Sequence, residues 1–274
     1  MGKRIVVKVG SNVLTREDGK LDVTRMSAIV DQIVWLRKHD YEVILVSSGA
    51  VAAGRAELHV DHHLDSVEQR QLFSAIGQVK LVGLYYNLFR EYKIKIGQVL
   101  TMKENFGAEE QYKNQEACMQ VMLENNVLPI VNENDTVATE EIEFGDNDTM
   151  SAIVAHLIKA DLLILLTDID GFYTDDPHKN PEAKKLTLVE TIDDTMKNMA
   201  KDAVTNYGTG GMSTKIAAAR IATDSGADMA IMDAENLTQI YDLMEGKSVG
   251  TLFLAHENDD FDTVDFIVHK GYQK

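Results

Sequence analysis

Short runs of consecutive apolar residues alternate along this chain with longer stretches whose apolar positions recur at helical spacing. Read as strands, the runs are RIVVKV (4–9), EVILVS (42–47), IKIGQVL (94–100), VLPIVN (127–132), DLLILLT (161–167), DMAIMD (228–233) and GTLFL (250–254). Between them the spacing predicts helices from about Asp22 to Lys38 and from about Ser66 to Arg90, then through EACMQVMLEN and through TMSAIVAHLIKA. Strands that are apolar almost throughout have both faces buried, and strands that alternate with helices pair in parallel. The pattern therefore predicts an α/β protein with a parallel sheet covered on both faces.

Composition narrows this picture. With 274 residues, 45% of them hydrophobic, the chain has ample material for one large domain or two small ones. Of three prolines, Pro177 and Pro181 flank the polar stretch DDPHKNPEAKK, a surface loop and the best seam between an N-terminal and a C-terminal lobe. No internal repeat or low-complexity segment stands out. The net charge of −17 and the pI of about 4.8 disfavour nucleic acid and anionic membrane as partners. An anionic ligand would need its own cluster of lysines and backbone N–H groups. Cys118 is the sole cysteine, so no internal disulfide forms, and it is expected as a small core residue. No run approaches the ~20 apolar residues of a membrane span, and the N-terminal apolar run is too short for a signal peptide. These features suit a soluble, cytoplasmic chain. The eight histidines, including the adjacent His62 and His63, show no metal-ligand spacing, so no metal-ligating residue is assigned.

The chemistry is expected where strands end, because open α/β sheets bind ligands outside the carboxyl ends of their strands. Those ends carry Lys8-Val9-Gly10-Ser11-Asn12, Ser47-Ser48-Gly49-Ala50, Asn132-Glu133-Asn134-Asp135 and Thr167-Asp168-Ile169-Asp170-Gly171. Gly145-Asp146-Asn147-Asp148 opens a helical pattern, and GTGGMSTK (208–215) precedes another. Singly, most have a plain structural explanation: a turn glycine, an N-cap at 146–148, an aspartate bonded to its own backbone at 135 or 168. Lys8 does not, since a lysine inside an apolar strand has little structural use. GTGGMSTK fits neither the Walker pattern, which needs Gly-Lys-Ser/Thr, nor G-x-G-x-x-G, because position 213 is Ser. Together, two lysines from distant segments, glycine turns and aspartates are what phosphoryl transfer demands, since the migrating charge must be neutralised from several sides. Helix N-termini behind Gly49 and Gly211 add N–H groups and dipole.

In this order, VVKVGSNVLT (6–15), VSSGAVAAGR (46–55), NENDTV (132–137), FGDNDTMSA (144–152), LLTDIDGFYTDDP (165–177) and GTGGMSTKIAAA (208–219) resemble the amino acid kinase family, and within it the branch that phosphorylates the side-chain carboxylate of L-glutamate at the start of proline synthesis. The resemblance covers the chain to about residue 254. It implies a three-layer αβα sandwich with a mainly parallel central sheet, and a kinase domain over 1–258 with an N-terminal acceptor lobe and a C-terminal nucleotide lobe. A short tail, 259–274, follows, with no room for the PUA domain many members carry. Two features depart from the usual pattern: that missing PUA domain, and Gly10-Ser11-Asn12 where Gly-Thr-Ser is commoner.

By this resemblance Lys8, Asp148 and Lys215 are catalytic, with Asp148 holding both lysines in place. Ser48, Gly49, Asp135 and Asn147 bind the acceptor. Lys8, Gly10, Thr167, Asp168, Thr209, Gly210, Gly211, Met212, Ser213, Thr214 and Lys215 bind ATP, with Gly10 and Gly49 lending N–H groups to the moving phosphoryl. Mg²⁺ accompanies the nucleotide. Proline is implied as a feedback inhibitor, a glutamyl-phosphate reductase as a partner, and a homo-oligomer as the assembly. Asp135 has an independent rationale, because a free α-ammonium needs a carboxylate partner. The alternatives are a sister kinase for N-acetylglutamate, aspartate, carbamate or UMP, and a non-catalytic sensor of ATP or an amino acid.

Overall fold

The computed structural model describes residues 3–137, 147–175, 180–193, 196, 211–236, 238–256 and 258. In chain order the strands are β1 (Arg4–Val9), β2 (Glu42–Ser47), β3 (Lys95–Thr101), β4 (Val127–Glu133), β5 (Leu162–Thr167), β6 (Phe172–Tyr173), β7 (Lys185–Leu186), β8 (Leu188–Val189), β9 (Asp228–Asp233) and β10 (Thr251–Phe253). The helices are α1 (Ser11–Leu14), α2 (Val23–Lys38), α3 (Ala50–Glu57), α4 (Ser66–Glu91), α5 (Lys103–Gly107), α6 (Glu109–Glu124), α7 (Asn147–Leu157), α8 (Met212–Asp224) and α9 (Gln239–Met244), with a 3-10 turn at Asp135–Val137.

Eight strands form one sheet in the order β3-β4-β2-β1-β5-β9-β10-β8. From β3 to β9 all neighbours are parallel; Val7 on β1 sits beside Leu45 on β2 and Ile164 on β5. The edge departs from the expected parallel series, since β10 runs antiparallel to β9 and parallel to β8. The reversal depends on Gly250, held at φ 60°, where an added Cβ would lie 2.0 Å from the Ile231 carbonyl oxygen. Only a residue without a side chain lets the returning chain settle against β9.

Period-two alternation sorts the strand residues between two cores. Ile5, Val7 and Val9 pack with Ile29, Ile33 and Leu36 of α2 and with Tyr85 and Phe89 of α4. Val6, Ile44 and Val46 pack on the other side with Ile153 and Leu157 of α7 and with Ala218, Ala219 and Ile221 of α8. Helices thus cover both faces, giving the αβα layering. The helix starts follow local signals. Asp22 accepts from the Arg25 N–H at 3.0 Å, and Asp65 and Glu68 form a capping box.

Helices α3 and α4 approach at backbone distance. A Cβ on Gly54 would sit 1.8 Å from the Phe73 oxygen, and one on Gly77 would sit 1.7 Å from the Ala50 oxygen. Cys118 is exposed on α6 rather than buried, because the packed stripe of that helix is Met119 and Leu123. His62 and His63 are exposed. Among the described residues, no helix is long and apolar enough to cross a membrane.

Candidate active site

Alternation along β1 turns Lys8 to the same side as Val6, toward α7 and α8. Its ammonium and that of Lys215, in the first turn of α8, meet on one carboxylate, that of Asp148 in the first turn of α7. Lys8 Nζ donates to Asp148 Oδ1, and Lys215 Nζ donates to Oδ2 at 3.1 Å. The three side chains come from residues far apart in sequence, yet all are buried: Lys8 is 6%, Lys215 6% and Asp148 1% exposed. Thr214 Oγ contacts the same Oδ2 at 3.4 Å while donating to the Gly211 carbonyl at 2.7 Å. Asp148 therefore does more than the N-cap its sequence position suggested, since its oxygens are engaged by lysines. Two ammonium groups brought together in a buried site suit an anionic ligand. The N-termini of α7 and α8, both more than two turns long, add their positive ends there.

One residue earlier, Asn147 faces a second cluster. Its Nδ2 donates to Ser48 Oγ at 2.6 Å and to Asn132 Oδ1 at 3.2 Å. Gly49, left-handed at φ 97°, turns the chain from β2 into α3 beside this cluster. Asp135 lies in the 3-10 turn after β4. Burial pushes its carboxyl up to about 6, although the charge of Arg70 pulls it the other way. Asn132 belongs to a motif evident in the sequence, but its contact with Asn147 was not; an asparagine closing an otherwise apolar strand was the available signal.

A third cluster lies at the end of β5. Thr167 Oγ and Asn12 Nδ2 both donate to Asp168, each at 3.0 Å. Burial raises the Asp168 pKa, but these bonds and the charge of Lys215 outweigh it and hold the carboxyl below its usual range. Asp170 accepts from Tyr173 Oη at 2.9 Å and from Lys185 Nζ at 3.2 Å, which closes the loop after β5.

The expected N–H donation by Gly10 needs correction. Its N–H continues the β1–β5 ladder, donating to the Leu166 oxygen at 3.2 Å. A Cβ there would make only ordinary contacts, 3.7 Å from the Leu166 oxygen and 3.8 Å from the Lys8 ammonium. Gly211 is the N-cap of α8, and Met212, Ser213 and Thr214 form its first turn with Lys215. Thr209 and Gly210 lie outside the described residues, as do Gly145, Asp146 and the tail 259–274. Asp135 apart, the described site residues thus fall into a lysine clamp, an Asn147-centred polar cluster and the end of β5.

Residues 3–233 match the amino acid kinase family. Glutamate 5-kinase of Bacteroides thetaiotaomicron is 51% identical over 242 residues, covering 88% of this chain and 67% of that protein. Glutamate 5-kinase of Clostridium tetani is 45% identical over 253 residues, 92% of this chain and 95% of that one. Among solved structures, carbamate kinase from Giardia lamblia bound to AMP-PNP superimposes with a TM-score of 0.65 at 17% identity, covering 93% of this chain and 99% of that one. UMP kinase from Bacillus anthracis gives 0.63, also at 17% identity, over 94% and 97%. The shared fold and a family match across most of its length establish that this chain belongs to the amino acid kinase family.

Proposed function

We propose that the protein transfers the γ-phosphoryl of ATP to the side-chain carboxylate of L-glutamate, giving L-glutamyl 5-phosphate and ADP, the first step of proline biosynthesis. The phosphoryl-transfer half of this reading is carried by the buried Lys8–Asp148–Lys215 clamp. The acceptor is supported by the similarity to glutamate 5-kinases over nearly the whole chain.

A side-chain carboxylate with an ordinary pKa near 4.3 is already ionised at neutral pH, so the acceptor needs no general base. The obstacle is repulsion between two anions. Lys8 and Lys215 offset it as a carboxylate oxygen bonds to the γ-phosphorus and the bridging oxygen leaves with ADP. Asp148 holds the two ammonium groups at fixed positions, so little reorganisation is needed in the transition state. Ser48, Gly49 and Asn147 orient the acceptor's reacting end, and Asp135 pairs with its α-ammonium. Thr167, Asp168 and the 209–215 segment hold the nucleotide.

In this reading, residues 1–258 form the kinase domain. Its acceptor lobe is built on β1–β4, and its nucleotide lobe on β5 and the elements after it. Among the described residues no group of three or more His, Cys, Asp or Glu is arranged to hold a metal. Outside the clamp, the Asp168 carboxylate is held below its usual pKa by Asn12, Thr167 and the charge of Lys215. This donor set suits Mg²⁺ that arrives on the nucleotide and neutralises phosphate oxygens there. Feedback by proline, a glutamyl-phosphate reductase partner, a homo-oligomeric assembly and a cytoplasmic location complete the proposal.

The test is an acceptor screen with purified protein, ATP, Mg²⁺ and glutamate, N-acetylglutamate, aspartate, carbamate or UMP, following ADP release. Hydroxylamine traps the acyl phosphate. ADP release and hydroxamate with glutamate alone support the reading; turnover of a different acceptor replaces it. Added proline should slow the reaction at sub-saturating glutamate.

A further inference from the structure

The roles assigned so far leave the acceptor's α-carboxylate without a partner. Both α-substituents of an amino acid hang on one carbon, so a site that pairs the ammonium with Asp135 needs a cation close by. This inference rests on the glutamate reading above.

The geometry of α3 and α4 supplies that cation. Ala50, which directly follows Ser48 and Gly49, abuts Gly77, and Gly54 abuts Phe73, so the two helices run antiparallel at close range. Following α4 back from Gly77 toward its N-terminus leads to Arg70, two turns away and about 10 Å along the axis. Helix α4 also packs on the Asp135–Val137 turn. Arg70 is half-buried, and its charge reaches the Asp135 carboxylate. Arg55 lies over the Phe73 ring at 5.5 Å and donates to Gln69 Oε1 at 3.2 Å, and Lys80 pairs with Glu57.

We propose that Arg70 binds the α-carboxylate of the acceptor while Asp135 binds its α-ammonium, so that the site selects a zwitterion. The pair presents one charge of each sign, the complement of an amino acid backbone. In a chain of net charge −17, Arg70 also offsets the general repulsion of a substrate whose net charge is negative. Guanidinium suits this task because its planar fork matches a carboxylate.

The experiment compares the wild type, Arg70→Gln and Arg70→Lys with two acceptors, L-glutamate and its α-amide, L-isoglutamine, at saturating ATP. Arg70→Gln should raise KM for glutamate about 10- to 150-fold, the usual range for one charge-assisted contact, while kcat and KM for ATP barely change. The α-amide should be a poor substrate of the wild type and should lose nothing further in Arg70→Gln. Arg70→Lys should recover part of the glutamate KM. Thermal melting shows whether each variant is folded. An unchanged glutamate KM in Arg70→Gln, or an equal loss on both acceptors, overturns the assignment while the kinase reading stands. A folded wild type that phosphorylates no glutamate removes the kinase reading and Arg70's role together.

Discussion

Replacing Asp148 by Asn keeps the shape of the side chain and removes its charge. Two ammonium groups, those of Lys8 and Lys215, then lose the carboxylate they share at a point only 1% exposed to solvent. Breaking a buried ion pair from one side typically costs about 3–5 kcal/mol, a large part of the roughly 5–15 kcal/mol that stabilises a whole domain. At about 2–4 °C per kcal/mol for a chain of this size class, the melting temperature should fall by roughly 6–20 °C. The lysines also lose their fixed positions, and kcat should drop about 10²- to 10³-fold, the usual effect of losing preorganised electrostatic stabilisation. With the Asp148 charge gone, the two ammonium groups should hold an anion more tightly, so inorganic pyrophosphate should raise the melting temperature of the variant more than that of the wild type. The assays are thermal melting with and without pyrophosphate, and steady-state ADP release. A variant that melts with the wild type and keeps most of its kcat would refute the clamp as both a structural and a catalytic element.

Lys8→Ala and Lys215→Ala should each lower kcat about 10²- to 10³-fold with a much smaller effect on KM for glutamate; near-normal kcat in either variant removes that lysine from the transfer step. Asp135→Asn should raise KM for glutamate about 10- to 150-fold while sparing ATP binding, and N-acetylglutamate, which has no ammonium, should be a very poor substrate of both proteins. Asp135 titrates at about 6, raised by burial. Its protonated form cannot pair with an ammonium, so KM for glutamate in the wild type should rise as pH falls from 7 through about 6, and that dependence should vanish in Asp135→Asn. Gly54→Ala or Gly77→Ala would place a Cβ 1.8 or 1.7 Å from a backbone oxygen, so the helices must separate. A loss of at least about 1–3 kcal/mol should follow in denaturant titrations, and an unchanged midpoint would mean that the contact is not as close as described.

Much of this molecule is visible in its sequence because its signals are local. Apolar runs at 4–9, 42–47 and 161–167 become β1, β2 and β5 with little change, since a doubly covered parallel strand has no polar face to confuse the pattern. Asp22 and Asp65 announce helix starts by capping chemistry that needs no distant partner. Lys8 was suspicious for the right reason: an apolar strand gives a charge no outlet except a counter-charge from another element, here Asp148. What was not visible depends on distance. Nothing near Gly250 says that β10 will reverse; that follows from its approach to Ile231 across the sheet. The Gly10 N–H looked available because its acceptor, the Leu166 oxygen, belongs to a strand more than a hundred residues away. Arg70 was silent because a helix position reveals which face it lies on but not which turn will pack against it.

Asn147 and Asp148 are consecutive residues of one helix turn, yet one serves the polar cluster with Ser48 and the other the two lysines. A helix rotates about 100° per residue, so neighbouring positions can address two chambers from a single rigid start. Recognition and reactivity then cannot be adjusted independently. If Asn147 holds the acceptor as proposed, an acceptor of the wrong size that pushes it aside must also tilt Asp148, loosening both ammonium groups as it binds. A near-miss substrate would be punished twice by one displacement, first in its hold on the pocket and again in the turnover of whatever stays bound. In the proposed reading, the start of α7 couples the fit of the acceptor to the placement of both lysines through two adjacent side chains.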